Sequence, residues 1–251
     1  MEQRLEATTA IDKALDVLFH LHAHAVPQGV SEIGRALGLP KSSAHRLLAA
    51  LRRRELVERD GSGRYRTGAG LIGLAFGVLD REPLVAAARP ILEQQARAFG
   101  ETFFLVAARG GRLIVLDKAE GTGVLRASPQ IGSEVPAHAS AVGKLYLAFA
   151  PDAVVLQRPL VRYTRRTLVS PRALAREVQA ARAAGHAGSR GEWLEGLSVF
   201  AAPVFERQRM LAAVCAAVPS TRLARIDQQR ALQRVTEAAA RLSACLGGQS
   251  G

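Results

Sequence analysis

Residues 28–68 read QGVSEIGRALGLPKSSAHRLLAALRRRELVERDGSGRYRTG and contain the signals that decide the fold of the N-terminal part of the chain. Ser31 is expected to cap a short helix of about two turns. Gly38 provides the stop of this helix and Pro40 cannot continue it, so a tight turn follows. A longer helix is predicted over about 43–54, with leucines at helical spacing on its inner face. The pattern indicates two helices joined by a tight turn.

The sequence on either side of these two helices completes a small domain. Residues 10–24 place apolar side chains at helical spacing, and Pro27 with Gly29 ends that helix. After the longer helix, residues 56–59 and 64–67 are typical of two short strands joined by the turn residues DGSG. The order helix, short helix, turn, helix, hairpin predicts a winged helix-turn-helix, in which the third helix enters the major groove of DNA.

Cationic side chains are concentrated on the predicted third helix and on the hairpin. Nine cationic and three anionic residues lie between residues 35 and 66, so this stretch has a net charge of nine minus three, or +6. Side chains on the solvent side of this region can donate hydrogen bonds to phosphates and base edges. The predicted DNA-binding residues are Arg35, Lys41, Ser42, Ser43, His45, Arg46, Arg53 and Arg64. Tyr65 either packs under the hairpin or contacts DNA.

The total charge of the chain is weaker evidence for DNA binding than this local pattern. The 251 residues carry a formal net charge of +12. Residues 1–80 hold 11 Lys and Arg against 9 Asp and Glu, or +2, whereas the remaining residues hold 23 against 13, or +10. Arginine outnumbers lysine 30 to 4, which reflects compositional bias as much as a binding surface. DNA binding is therefore inferred from the local order of caps, turns and cations.

Composition excludes several classes of protein. No apolar run reaches the roughly 18 residues of a membrane span, and the N-terminus lacks the pattern of a signal peptide, so a cytoplasmic protein without membrane contact is expected. The two cysteines, Cys215 and Cys245, are too few for a disulfide framework and lack the spacing of a zinc site. We expect no metal and no cofactor.

Beyond residue 68 the pattern changes from helical to mixed. Residues 69–82 form a glycine-rich apolar segment that is predicted as a linker helix between a DNA-binding domain, 1–68, and a larger domain, 83–251. In the larger domain, extended segments are predicted from 102 to 119, on either side of Gly110 and Gly111, and in the region 124–139, with further strands at 197–205 and 211–218. Helices are predicted at 83–99, 140–150, 171–184 and about 225–245. This mixture indicates an α+β fold.

Residues 28–68 resemble the DNA-binding half of the IclR-type regulators, and the resemblance extends through almost the whole chain. The segments GETFFLVAARGGRLIVLDKAEG (100–121), VPAHASAVGKLYLAF (135–149), YTRRTL (163–168) and LEGLSVFAAPVF (194–205) are similar to the family's effector-binding domain in order and spacing. The resemblance implies a GAF-like effector-binding domain with a curved antiparallel sheet. It also implies a homodimer formed through the N-terminal domains, or a dimer of dimers.

The resemblance further implies a sequence-specific transcription regulator that binds double-stranded operator DNA, with repression of a catabolic operon as the expected role. Its small-molecule effector would be bound by residues on both sides of the HAS segment and on two late strands. These residues are Val124, Ala127, Val135, Ala141, Val142, Ser189, Leu197, Val199, Cys215 and Ala217. Ser189 and Cys215 are the main polar side chains of this set, which favours an aromatic or otherwise hydrophobic effector.

Each of the ten predicted effector residues is equally consistent with an ordinary core position. Arg126 either pairs with a ligand carboxylate or faces solvent.

Two other functions are compatible with parts of the pattern. The second domain could mediate assembly alone, or the chain could be a hydrolase with Cys215 or Ser140 as nucleophile and His138 as base. No G-x-S-x-G motif surrounds Ser140, which is better explained as the cap of the following helix. His138 is then a structural hydrogen-bonding group and Cys215 a small apolar residue. The sequence therefore favours a regulator without catalytic residues.

Overall fold

The computed structural model describes residues 9–79, 82–123, 127–223 and 228–247. The chain divides into two compact units, Met1–Arg81 and Glu82–Gly251. The first unit contains helices α1 (Ala10–Ala23), α2 (Val30–Ala36), α3 (Lys41–Arg53) and α4 (Ala69–Leu79), with strands β1 (Val57–Arg59) and β2 (Tyr65–Thr67). The two strands pair antiparallel, so the predicted winged helix-turn-helix is confirmed. The prediction that residues 69–82 form a linker helix between the two domains stays a prediction.

The start of α2 differs from the sequence prediction. Gly29, not Ser31, is the residue before the first turn, and the Glu32 carboxylate accepts a hydrogen bond of 2.7 Å from the Gly29 amide. The reason is that a glutamate at the third helical position can reach back to the preceding backbone, which lets the helix begin at Val30. The third helix also begins earlier than predicted, at Lys41 after Pro40.

The turn between α2 and α3 depends on two glycines. Gly38 has φ +64, a left-handed conformation that glycine adopts without steric cost. The Leu39 amide then donates to the Gly34 carbonyl over 2.8 Å. A Cβ atom at Gly34 would lie 2.9 Å from the Leu39 carbonyl oxygen, so the backbones approach too closely for a side chain there. This turn holds α3 against α2.

The second unit is built on one antiparallel sheet. Its strands are β3 (Thr102–Arg109), β4 (Arg112–Ala119), β5 (Glu134–Val135), β6 (Ala187–Arg190), β7 (Leu197–Glu206) and β8 (Arg209–Pro219), in the spatial order β5-β4-β3-β8-β7-β6. Its helices are α5 (Pro83–Phe99), α6 (Ala141–Phe149), α7 (Pro171–Ala184) and α8 (Gln228–Gly247), and a 3₁₀ turn spans Pro151–Ala153. The α+β class and the curved antiparallel sheet are confirmed.

Both faces of the sheet are covered by helices. Side chains of α5 and α8 pack on one face, and α6 and α7 pack on the other. The central strand β8 is therefore buried on both sides, which explains its run of alanine and valine without polar alternation. Among the described residues, no helix is long and apolar enough to span a bilayer.

Two predicted elements of this unit differ from the structure. The extended segment expected across 124–139 contains only the two residues of β5 as strand, and residues 124–126 lie outside the described residues. The edge strand β6 was not predicted, because its sequence AGSR lacks the branched and aromatic residues typical of strands. The predicted start of the last helix near residue 225 also lies outside the described residues.

A buried tyrosine fixes α6 against the sheet. The Tyr146 hydroxyl donates to the Leu211 carbonyl over 2.8 Å and accepts from the Ala108 amide over 3.0 Å. Burial raises the pKa of Tyr146 to about 12, so the hydroxyl stays protonated and can make both bonds. The second half of α6 is thereby held against the end of β3 and the start of β8.

Candidate functional sites

The exposed face of α3 is the first candidate site. Ala44, Leu48 and Leu51 are buried beneath the helix. Their spacing turns the opposite face to solvent, where Lys41, Ser42, His45, Arg46 and Arg53 are exposed and Ser43 is half-buried. The predicted α3 residues therefore lie together on the face available to a partner.

The cations of this face are not neutralised within the protein. Among the described residues, no ion pair involves Lys41, Arg46, Arg52 or Arg53, and Arg46 reaches only the Ser43 hydroxyl, at 3.5 Å. The first turn of α3 follows Pro40, which has no side chain to cap the helix amides. The free amides lie with Lys41 at the start of α3, whereas Arg52 and Arg53 lie in its last turn. Together they form a surface suited to phosphate. Arg52 belongs to this exposed set, although the sequence argument did not select it.

Arg64 is placed differently from the α3 cations. Its Nε donates to the Pro27 carbonyl and its Nη2 pairs with Glu32, both over 2.7 Å. On the same hairpin, Arg66 pairs with Glu58 and Arg59 Nε donates to the Gly63 carbonyl over 3.0 Å. The Arg64 contacts join the hairpin to the start of α2, whereas the Arg66 and Arg59 contacts lie within the hairpin.

Tyr65 and Arg35 are the two remaining predicted residues of this unit. Tyr65 is 4% exposed and belongs to the hydrophobic core, which decides between the two alternatives in favour of packing under the hairpin. Arg35 lies exposed in the last turn of α2. A role for Arg35 or Arg64 at DNA stays a prediction.

The second candidate site is a cavity of about 440 Å³ between the sheet and the start of α6. Seven of the ten residues predicted for the effector pocket line it. They are Ala127, Val135, Val142, Ser189, Leu197, Val199 and Ala217. Ser189, Val199 and Ala217 are neighbours across β6, β7 and β8, because Val199 pairs with Ser189 on one side and with Ala217 on the other.

Three predicted pocket residues are not found in the cavity wall. Ala141 and Cys215 are fully buried in the core between the sheet and α6. Cys215 shares its face of β8 with Ala217, but the cavity reaches only the end of the strand, where Ala217 and Pro219 lie. Val124 lies outside the described residues.

Several cavity residues were missed by the sequence argument. The largest are Phe104 on β3 and Trp193, which is the only tryptophan of the chain. The others are Ser128, Pro129, Gln130, Ser133, Ala139, Ser140, Leu194, Glu195, Gly196 and Pro219. A single tryptophan within the polar stretch RGEWLEG was an available signal, since aromatic residues outside a core pattern often mark binding surfaces.

The polar groups of the cavity differ from the expected pair of Ser189 and Cys215. The Ser140 hydroxyl is engaged in capping α6, since it accepts from the Gly143 amide and donates to the Pro136 carbonyl. The side chains of Ser189, Trp193 and Glu195 have no hydrogen-bond partner among the described residues. The cavity thus combines apolar walls with a few polar groups that a ligand can use.

The residues of the hydrolase alternative do not form a catalytic arrangement. His138 Nε2 donates to the Val161 carbonyl over 2.8 Å, and the His138 ring stacks on Tyr163. Burial raises the pKa of the Cys215 thiol, which keeps it protonated and unreactive. In the described ranges, no cluster of three or more His, Cys, Asp or Glu side chains is placed to hold a metal ion. The structural roles predicted for His138, Ser140 and Cys215 agree with these contacts.

Comparison with known proteins places both units in one family. The IclR helix-turn-helix domain matches residues 10–61, and the bacterial transcriptional regulator IclR C-terminal domain matches residues 76–244. The probable transcriptional regulator SauR of Cupriavidus necator is 34% identical over 223 residues, which cover 86% of this chain and 88% of SauR.

Two solved structures have the same fold. An IclR transcriptional regulator from Alicyclobacillus acidocaldarius superposes with a TM-score of 0.79 at 28% identity, over 98% of this chain and all of that one. An IclR homologue from Microbacterium hydrocarbonoxydans, crystallised with 4-hydroxybenzoate, gives a TM-score of 0.82 at 24% identity, over 96% of this chain and all of that one. With the family domains matching most of its length, the chain belongs to the IclR family of bacterial transcriptional regulators.

Proposed function

We propose that this regulator is a homodimeric repressor of a catabolic operon that binds operator DNA through α3 and is controlled by a small aromatic effector. The cavity between the sheet and α6 is the observation that carries the effector part. Phe104 and Trp193 provide aromatic surface, and Val135, Val142 and Val199 provide aliphatic walls. A flat apolar ring fits such walls, and Ser189 can fix its orientation with one hydrogen bond.

The α3 face supports the DNA part of the proposal. Its exposed cations and free helix amides match the phosphate backbone, and Ser42, His45 and Arg46 project side chains that can reach base edges. In a dimer, two such helices would address two half-sites of a palindromic operator about one helical turn apart. The cations of the hairpin are already engaged within the protein, so α3 is proposed to make the main contacts.

Filling the cavity tests the effector proposal. We expect Val199→Trp to abolish ligand-induced stabilisation, because the indole ring would occupy the space beside Ser189 and Ala217. Operator affinity without ligand should stay unchanged, since Val199 lies in the second unit. The measurement is a thermal-shift screen of aromatic and short aliphatic acids, in which bound ligand raises the Tm of the parent protein.

The control for this experiment is Val199→Ile, which keeps the apolar wall and adds one methylene group. It should respond to the same acids as the parent protein. If no acid shifts the Tm of the parent, the effector class is wrong. If Val199→Trp responds like the parent, the cavity is not the effector site.

The dimer proposal rests on exposed apolar side chains in the first unit. Ile11, Leu15 and Phe19 recur every four residues and share one face of α1, where Phe19 is 68% exposed. Ile72, Leu74 and Phe76 are exposed on α4. Apolar surface of this extent is typical of a protein interface, and a second copy of the chain presents the same faces.

Phe19→Glu is expected to shift the protein from dimer to monomer at micromolar concentration, because it places a charge in the proposed interface. Light scattering after size-exclusion chromatography measures the mass directly. Phe19→Met keeps the face apolar and should remain dimeric. An unchanged mass for Phe19→Glu would locate the interface elsewhere.

A further inference from the structure

One wall of the cavity is a loop. The side of this loop that faces away from the cavity contacts a buried lysine. We define the wall loop as residues 191–197. Its residues from Trp193 to Leu197 line the cavity, whereas Glu192 lines a second cleft together with Lys144 and Glu177. The loop therefore contacts the effector cavity on one side and a charged cluster on the other.

Lys144 is the centre of this cluster. Its side chain is 2% exposed, and it lies on α6, where Val142 and the preceding cap residue Ser140 line the cavity. Its ammonium group donates to Glu192 Oε1 over 2.7 Å, to Glu177 Oε2 over 3.1 Å and to the Gly188 carbonyl over 3.1 Å. All three donors of the ammonium group are thus used, and they join α6 to α7, β6 and the wall loop.

The backbone of the wall loop has further supports at both ends. At its last residues, the Ser220 amide donates to the Gly196 carbonyl over 2.7 Å, and at its first residues two threonine hydroxyls act as donors. Thr164 Oγ1 donates to the Gly191 carbonyl over 2.7 Å, and Thr167 Oγ1 donates to the Glu192 carbonyl over 2.6 Å. Further along, the side chains of Trp193, Leu194 and Glu195 make no hydrogen bond or ion pair to the rest of the described chain. Trp193 packs against the core between the sheet and α6, and its backbone directly follows Glu192, the residue that Lys144 binds.

We propose that Lys144 is a positioning residue for the effector cavity. Its ion pair with Glu192 fixes the wall loop, and through it the indole face that Trp193 presents to the ligand. The inference rests on the proposed effector function, but the geometry can be tested without any ligand. A lysine that only stabilises the fold would affect the Tm without changing the environment of Trp193.

The test uses the fluorescence of Trp193, which is the only tryptophan of the chain. The main variant is Lys144→Met with Glu192→Gln, which removes both charges and so leaves no unpaired buried ion. We expect the acrylamide quenching constant of Trp193 to rise about twofold, because a released loop exposes the ring to the quencher. Lys144→Arg keeps a cation beside Glu192 and should lie closer to the parent protein.

Glu177→Gln is the matched control, because it removes the partner that is half-exposed and lies outside the wall loop. It should leave Trp193 quenching unchanged. If the double variant does not fold, Glu192→Ala alone gives the same comparison, since it removes the acceptor on the wall loop while Lys144 keeps its ion pair with Glu177. Unchanged quenching in a folded variant would overturn the positioning role. Increased quenching together with no response to any acid in the thermal-shift screen would support it and count against the proposed effector.

Discussion

Replacing Gly143 with alanine is expected to destabilise the second unit by more than about 3 kcal/mol, above the usual cost of an overpacked core. A Cβ atom at this position would lie 1.8 Å from the Ala137 carbonyl oxygen, which is backbone and cannot rotate away. The Gly143 amide also donates to the Ser140 hydroxyl over 3.1 Å. Relief of the clash would move the start of α6 and with it the cavity residues Ser140 and Val142.

Chemical denaturation followed by far-UV circular dichroism measures this loss of stability. Gly247→Ala is a suitable control, because a Cβ atom there meets no atom within 4 Å and the residue ends α8 in the same unit. Its unfolding midpoint should match that of the parent protein. A folded Gly143→Ala protein of unchanged stability would mean that the backbone at Ala137 can move away from the added Cβ atom at little cost in free energy.

Replacing Arg46 with alanine is expected to weaken binding to a selected operator by about 1–3 kcal/mol. Arg46 is exposed on α3 and lacks an ion-pair partner among the described residues, so its guanidinium group is available to DNA. If Arg46 contacts a base, the variant should lose specificity at that base pair. If it contacts only phosphate, affinity should fall on all sequences and the salt dependence should become shallower.

Duplexes enriched from a random library provide the operator for this measurement, and fluorescence anisotropy at several salt concentrations gives the affinities. Arg176→Ala is the matched control, since Arg176 is an exposed arginine of α7 in the other unit. It should bind the operator as the parent protein does. Equal affinities for Arg46→Ala and the parent would remove Arg46 from the binding surface.

Local sequence signals predicted much of the fold. The stop at Gly38, the DGSG turn and the helical spacing of the leucines placed the elements of the first unit within a few residues. These signals act between residues close in the chain, through caps, turns and side-chain periodicity. The error at the start of α2 is also local. The Glu32 carboxylate accepts from the Gly29 amide, so the helix begins at Val30 and Ser31 lies inside its first turn.

The candidate sites were predicted less completely than the fold. The family resemblance selected Val199 and Ala217, and both line the cavity. The same reasoning selected Cys215, which points to the same face but lies deeper than the cavity extends. Trp193 was missed because it belongs to a loop, for which the sequence provides no periodic signal.

The sequence by itself determined that a winged helix-turn-helix precedes an α+β domain, and it identified α3 as the cationic helix. Only the tertiary structure decided which cations are free, since Arg64 is engaged by Glu32, 32 residues away in the chain. It also decided where the cavity ends and how Lys144 supports the wall loop. Helix caps and turns depend on neighbours in sequence, whereas free charge and empty space depend on residues that only folding brings together.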